Sequence, residues 1–540
     1  MISFVHELIS HSAQRSADKI ALQIQSSQIS YSQLNNLINV VAQGFLSQGI
    51  TQGDRVGIYL AKNPENVQSL FACSIVGAVF VPINPVLKTR QVQYIANNCQ
   101  IKLLITNHAR FKALAPLIEQ FTTLFTIIVI DANEHELAQS PSTPGVTILS
   151  WQAFISHSPH TLKYSQSSSN PSSLAGILYT SGSTGQPKGI MLSHQNIILG
   201  ALSVSEYLQL TEHDNILALL PLSFDYGLNQ LTSCFFVGAT CVLLDYLLAN
   251  DVVKAISKYQ ITGLAAVPTL WQQLTKATWP RNSACSVRYF TNSGGELPLA
   301  TLAILRKTMP QAKPYLMYGL TEAFRSSFLS PDEIDNKPNS IGKAIPHAEI
   351  LVLREDGSEC DNDEVGELVH IGPLVTLGYW KNEPATAARF KETPAQAQNT
   401  QNIALAVFSG DYVKRDADGF LFFVSRKDAM IKTSGYRVSP TELESVLLQL
   451  PQIEEAAVIP YPSVKLGQSI TAFIVRASDN HPLSTAEVFK HCQLNVPNYM
   501  VPKEIIFLTE LPINANGKID STQLKRRYSE NNRPQIINNN

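Results

Sequence analysis

Leu178–Gly189 reads LYTSGSTGQPKG. The apolar run Ala175–Tyr179 leads into it like a buried strand. It then breaks into hydroxyls and glycines (Thr180, Ser181, Gly182, Ser183, Thr184, Gly185), with Lys188 and Gly189 following a proline. Glycines let backbone N–H groups encircle an anion, hydroxyls add donors, and the lysine adds a point charge. The stretch therefore reads as a phosphate loop. It is not the G-x-x-x-x-G-K-[ST] loop, because Lys188 is followed by glycine and the glycine spacing differs. A flexible Gly/Ser connection is the competing reading of such a string.

Working outward, Arg55–Leu60, Ala78–Val81, Lys102–Thr106 and Thr126–Asp131 are short runs with the character of buried strands. Helical-period segments such as Tyr31–Gln48 and Asn66–Val76 lie between them. Strands alternating with helices predict an α/β fold with a mainly parallel, helix-covered sheet. The polar stretches Ser165–Ser173 and Lys391–Asn402 read as loops. A hairpin is expected over Tyr412–Val424, turning at Asp418–Gly419. Beyond it, helices at Pro440–Leu450 and Thr485–Cys492 and strands at Ala456–Pro460 and Ile470–Val475 make a small α+β unit. The expected division is a large N-terminal domain over 1–425, a small mobile C-terminal domain over 426–530, and a disordered tail over 531–540.

Composition narrows the function classes. The chain has 540 residues, 44% hydrophobic and 16% charged, with a net charge of −2. That is ample apolar material for packed cores and gives no global attraction to nucleic acid or an anionic membrane. Seven cysteines without a C-x-x-C pair indicate neither a zinc site nor a disulfide framework. No apolar stretch reaches the roughly 18 residues of a membrane span, and the N-terminus lacks a signal-peptide pattern. A cytoplasmic protein is expected.

Further motifs follow in order. They are Gly294-Gly295-Glu296, Tyr318-Gly319-Leu320-Thr321-Glu322, Ser409-Gly410-Asp411, Arg426-Lys427-Asp428, Gly435-Tyr436-Arg437-Val438 and Asn516-Gly517-Lys518-Ile519-Asp520. Each alone is an ordinary turn or loop. Together with the phosphate loop, their order and spacing resemble the adenylate-forming superfamily of acyl-CoA synthetases, luciferases and amino-acid adenylation domains, over nearly the whole chain. The resemblance implies ATP and Mg²⁺ as cofactors. It implies nucleotide contacts from Thr180–Gly185, Lys188, Gly294–Glu296, Tyr318, Thr321, Asp411 and Arg426, and a Mg²⁺ contact from Glu322. It also implies a catalytic lysine at Lys518 and a hinge at Asp428, about which the small domain swings between two half-reactions.

The acid is read from Pro221–Gln230, PLSFDYGLNQ. In amino-acid adenylation domains the matching segment carries Phe-Asp, and the aspartate pairs the substrate ammonium; here it is Phe224-Asp225. The other reading is that Asp225, or Ser223, is a helix N-cap. By motif alignment the pocket also takes Tyr226, Asn229, Thr291, Ser293, Met317, Arg325 and Ser326, with Leu264–Trp271 as another wall. Tyrosine and methionine imply a short, enclosed pocket that suits a compact amino acid. An unpaired Arg325 facing that pocket would contradict this. The whole pattern is similar to stand-alone ligases that load an amino acid, L-proline among them, on to a separate phosphopantetheinylated acyl carrier protein. An acyl-CoA synthetase for a carboxylic acid without an amine, and a nucleotide-binding regulator without turnover, are the alternatives.

Overall fold

The structure is a computed structural model. It describes residues 2–138, 144–156, 170–180, 187–397, 405–427, 431–433, 436–463, 467–477, 483–496, 498–514 and 518–531. Contacts divide the chain into two compact units, Met1–Leu351 with Val369–Phe408 and Val352–Leu368 with Ser409–Asn540.

The first unit is built on two large sheets. The nine-stranded sheet runs Lys343–Ala344, Ser327–Leu329, Lys313–Tyr318, Tyr289–Asn292, Gly263–Ala266, Asn215–Ala218, Thr240–Leu243, Ile20–Ile24, Ser27–Ser30. Its central pairs are parallel and its edge pairs antiparallel. The seven-stranded sheet runs Thr147–Ser150, Thr126–Val129, Ile101–Thr106, Arg55–Tyr59, Val79–Pro82, Leu174–Thr180, Lys188–Ser193. All its pairs are parallel except the last. Buried strands such as Val79–Pro82 and Thr126–Val129 carry the near-continuous β-branched and apolar character of a sheet covered on both faces. The helices Tyr31–Ser47 and Pro64–Val76 lie where the periodicity puts them. Ser30 caps the first in a capping box, and Asn63 with Pro64 starts the second.

The second unit carries a five-stranded sheet in which Tyr436–Val438, Ile431–Thr433, Gly467–Arg476 and Ile453–Ser463 are neighbours in that order and Glu504–Leu508 pairs with Gly467–Arg476. Helices Pro440–Leu447 and Thr485–Asn495 bury Leu443, Leu447, Val488 and Cys492 in its core. This unit differs from the division expected after residue 425. The segment 352–368 is tied to 409–427 by several bonds. Ser409 Oγ donates to Leu368 O at 2.7 Å, Gly410 N to Glu367 Oε1 at 3.0 Å and Asp363 N to Arg415 O at 2.7 Å. The hairpin turning at Gly419 joins 409–415 to 421–426, with Asp411 opposite Arg426. It therefore lies inside the second unit instead of ending the first. Of the two loops expected from composition, residues 165–169 and 398–402 lie outside the described residues, as does the tail beyond 531. Lys391 and Glu392 belong to a short strand, Phe390–Glu392.

Candidate active site

The phosphate-loop sequence forms the end of an antiparallel hairpin. Strand Leu174–Thr180 pairs with Lys188–Ser193, and Thr180 sits opposite Lys188. Ser181, Gly182, Ser183, Thr184 and Gly185 lie outside the described residues. The Lys188 ammonium stands over the Tyr379 ring, 5.4 Å from its centroid. The Tyr379 hydroxyl donates to Glu322 Oε1 at 2.6 Å, and burial together with that carboxylate pushes the phenol's pKa up. Thus the loop lysine and the expected metal carboxylate meet on one aromatic residue. Sequence reasoning missed Tyr379. The chain on either side of it pairs with the hairpin: Leu377 N donates to Met191 O at 2.9 Å and Trp380 N to Gly189 O at 2.7 Å.

Glu322 lies in a one-turn 3₁₀ helix, Thr321–Ala323, after strand Lys313–Tyr318. The next residue, Phe324, has φ 61° and ψ −54°, and Arg325 N donates to Ala323 O at 2.6 Å. This is the strained form of γ-turn, and it persists only where packing holds it. Phe324 is fully buried, against Gly200, where a Cβ would come within 2.3 Å of its ring. The turn sends Arg325 inward, so that only 2% of it is exposed.

Asp225 is the first residue of helix Asp225–Val237, and Phe224 occupies the N-cap without a side-chain bond. The cap reading is therefore not what forms. Instead Thr321 Oγ1 donates to Asp225 Oδ1 at 3.2 Å, and Arg325 Nη1 lies 3.7 Å from Asp225 Oδ2. Arg325 Nη1 also donates to Ser293 Oγ at 3.3 Å, and the guanidinium lies over the Tyr226 ring, 4.6 Å from its centroid. Its Nε and Nη2 are buried without a hydrogen-bond partner among the described residues. The ionic neighbour of Arg325 is therefore Asp225.

Tyr226 and Asn229 follow on the same helix face. The Tyr226 hydroxyl and Thr291 Oγ1 are 2.5 Å apart, and Tyr207 donates to Met317 Sδ at 2.9 Å. Tyr226, Asn229, Thr291 and Met317 wall a cavity of about 30 Å³. Of the segment expected as a further wall, Ala265 lines this cavity, whereas Trp271 is buried against Phe290 and donates to Ala266 O.

The Gly294–Glu296 turn follows strand Tyr289–Asn292. Gly294 has φ 85°, and a Cβ on Gly295 would stand 3.2 Å from Pro268. Asn292 Nδ2 donates to Gly295 O at 2.9 Å while its buried Oδ1 has no partner among the described residues. Tyr318 ends its strand, half-buried.

In the second unit, buried Asp411 is held by the hairpin, and Arg426 Nε lies 3.6 Å from its Oδ1. Lys518 is exposed and closes a small loop: Asn514 N donates to its carbonyl at 2.7 Å, and its own N donates to Asn514 Oδ1 at 3.1 Å. Asp428, the expected hinge, lies outside the described residues.

Known proteins fit this arrangement. Residues 9–380 match the AMP-binding enzyme family and 442–518 the AMP-binding enzyme C-terminal domain. Indoleacetate–CoA ligase of Aromatoleum aromaticum is 27% identical over 512 residues, covering 94% of this chain and 95% of that protein. A linear gramicidin synthase polypeptide of Brevibacillus parabrevis is 27% identical over 523 residues, 96% of this chain, but the chain spans only 6% of that protein's length. The solved o-succinylbenzoate–coenzyme A synthetase of Bacillus subtilis, in complex with ATP and magnesium ion, is 26% identical with a TM-score of 0.78, covering 96% of this chain and 99% of that one. An α/β fold of large, mostly parallel sheets with a smaller C-terminal domain, and the family's motifs along its length, make this chain a member of the AMP-binding enzyme family.

Proposed function

We propose that the chain is an AMP-forming acid–thiol ligase. A carboxylate oxygen attacks the α-phosphorus of ATP, releasing pyrophosphate and forming an acyl-adenylate. A pantetheine thiol then attacks the acyl carbon and AMP leaves. The observation that carries this reading is the 3.2 Å bond from Thr321 to Asp225, which joins the phosphate-side segment to the acid-side segment.

ATP and Mg²⁺ are its cofactors, and the residues suit them. The unpartnered Asn292 Oδ1 and the close-packed Gly294–Gly295 turn fit the amino group and flat face of a purine. No group of three or more His, Cys, Asp or Glu forms a metal cage among the described residues. A single carboxylate, Glu322, suits Mg²⁺, which keeps waters and phosphate oxygens as its other ligands. When bound, the ion neutralises phosphate charge. Lys188 and the loop Thr180–Gly185 hold the departing pyrophosphate, Tyr318 packs on the base, Asp411 and Arg426 bind the ribose side, and Asp428 is the hinge. Lys518 supplies the positive charge that lets the carboxylate approach the α-phosphate, a case of electrostatic stabilisation. Lys518→Ala is expected to lose about 10²–10³-fold in adenylation, as for loss of one charge-stabilising donor, while keeping thioester formation from supplied acyl-adenylate. Equal loss of both half-reactions, measured separately, overturns this assignment.

Two readings of the acid remain distinct. The Phe224-Asp225 pair supports a small amino acid, with L-proline the best single fit, loaded on to a separate acyl carrier protein in the cytoplasm. The neighbouring Arg325 favours a carboxylic acid without an amine, with carrier protein or coenzyme A as acceptor. An ammonium about 4 Å from Asp225 gains roughly 4 kcal/mol at an effective dielectric of 20, and a guanidinium at equal distance removes a similar amount. ATP–pyrophosphate exchange across amino and plain acids decides: a proline signal supports the first reading, plain acids the second. Silence with every acid, with ATP still bound, returns the chain to a non-catalytic nucleotide binder.

A further inference from the structure

We propose that Arg325 is a specificity-determining residue, and that the acid carries an uncharged hydrogen-bond acceptor (a hydroxyl, keto or amide oxygen) a few atoms from the carboxylate that is activated. This rests on the ligase reading above and selects within it.

Three features of the cluster lead there. A buried guanidinium is costly unless its donors are used. Arg325 uses one, at 3.3 Å to Ser293, and leaves Nε and Nη2 without partners among the described residues. Those groups call for lone pairs. The ionic neighbour of Arg325 is Asp225, at 3.7 Å, so the pair is already close to neutral. An incoming ammonium or second carboxylate would leave an unbalanced buried charge, whereas a neutral oxygen leaves none. Finally, Arg325 is held inward by a strained turn at Phe324, and the space behind Tyr226, Thr291 and Met317 is only about 30 Å³. The donors are thus fixed, and little room lies behind the Tyr226 ring that the guanidinium covers.

The test is ATP–pyrophosphate exchange by the full chain with Mg²⁺. The probes are matched acids on four- to six-carbon and benzoic frames: unsubstituted, hydroxyl- or keto-bearing, amino-bearing and dicarboxylic, with L-proline included. One acceptor-bearing acid should exceed its unsubstituted parent in kcat/KM by about 10–100-fold, the range of a hydrogen bond to a charged donor. Its amino and dicarboxylic counterparts should fall below it. Arg325→Gln should reduce that preference to within about 3-fold, mainly through KM for the acceptor-bearing acid, while ATP binding changes little. Should Arg325→Gln fail to fold, Asp225→Asn combined with Arg325→Gln removes both charges and is read the same way. A best substrate that is an amino or dicarboxylic acid, or a preference that survives Arg325→Gln, overturns the inference and leaves the ligase standing. No exchange with any acid overturns both.

Discussion

Tyr379 shows how one aromatic residue can serve two ionic neighbours. Its ring face lies beneath the Lys188 ammonium while its hydroxyl donates to Glu322. Removing the hydroxyl leaves the stacking surface and frees the carboxylate to turn. Partners that orient a metal-binding carboxylate are worth about 10–100-fold in affinity or activity. Tyr379→Phe is therefore expected to raise the Mg²⁺ concentration for half-maximal pyrophosphate exchange by about 10-fold, with the melting temperature nearly unchanged. A titration curve superimposable on the parent's would sink this role. Lys188 and Glu322 were legible as types in motifs, whereas Tyr379 was not, because its partners lie 191 and 57 positions away in sequence and a lone tyrosine carries no local pattern. Arg325 was legible only as a pocket position. That its neighbour would be Asp225, 100 residues earlier, depends on the left-handed φ at Phe324, which no propensity for phenylalanine predicts.

At the scale of an element, helix Asp225–Val237 fixes where Asp225, Tyr226 and Asn229 stand. Its first turn presses on the loop before it: a Cβ at Gly227 would come within 2.1 Å of Pro221 O, a backbone atom that cannot swing aside. At the other end Gly238 takes φ 81° and caps the helix by donating to Cys234 O at 3.1 Å. Gly227→Ala must push the helix outward. Overpacking of this sort costs typically about 1–3 kcal/mol, so a drop of several degrees in melting temperature is expected. KM for the acid should rise more than KM for ATP if the displaced residues face the acid as proposed; equal changes in both would contradict this. Other elements were open to reading in advance where period and caps agreed, as with Tyr31–Ser47 and its Ser30 capping box. The hairpin Leu174–Ser193 was only half legible: its first strand is an apolar run, but its second, KGIMLS, merges with the glycine-rich loop and announces no strand of its own.

Over the whole molecule, buried histidines make stability sensitive to acid. Burial lowers the pKa of His194 to about 4, with nearby His6 adding to the shift, and lowers that of His370 to about 4, against an ordinary 6.5. His194 accepts from Val5 N at 3.3 Å and ties down the N-terminal segment, and His370 contacts Ser326 Oγ at 3.0 Å. Between pH 6.5 and about 4 the unfolded chain binds these protons and the folded chain does not, so stability falls as pH falls through that window and levels off below it. At pH 5 the loss is on the order of 2 kcal/mol for each histidine. Urea denaturation at pH 7 and pH 5 checks this: the midpoint should fall, and His194→Gln should reduce the difference. An unchanged midpoint between the two pH values would refute it.

The second unit is assembled from two stretches, Val352–Leu368 and Ser409 onward, with forty residues of the first unit between them. During synthesis the earlier stretch leaves the ribosome before the strands it bonds to exist, and at about 5–20 residues per second it waits a few seconds for them. Arg354 can already bind Glu364 and Asp361 in that interval, all within one short segment. The strands Glu349–Leu353 and Val365–Ile371, sheet neighbours on either side of that cluster, are likewise both made before residue 409 is added.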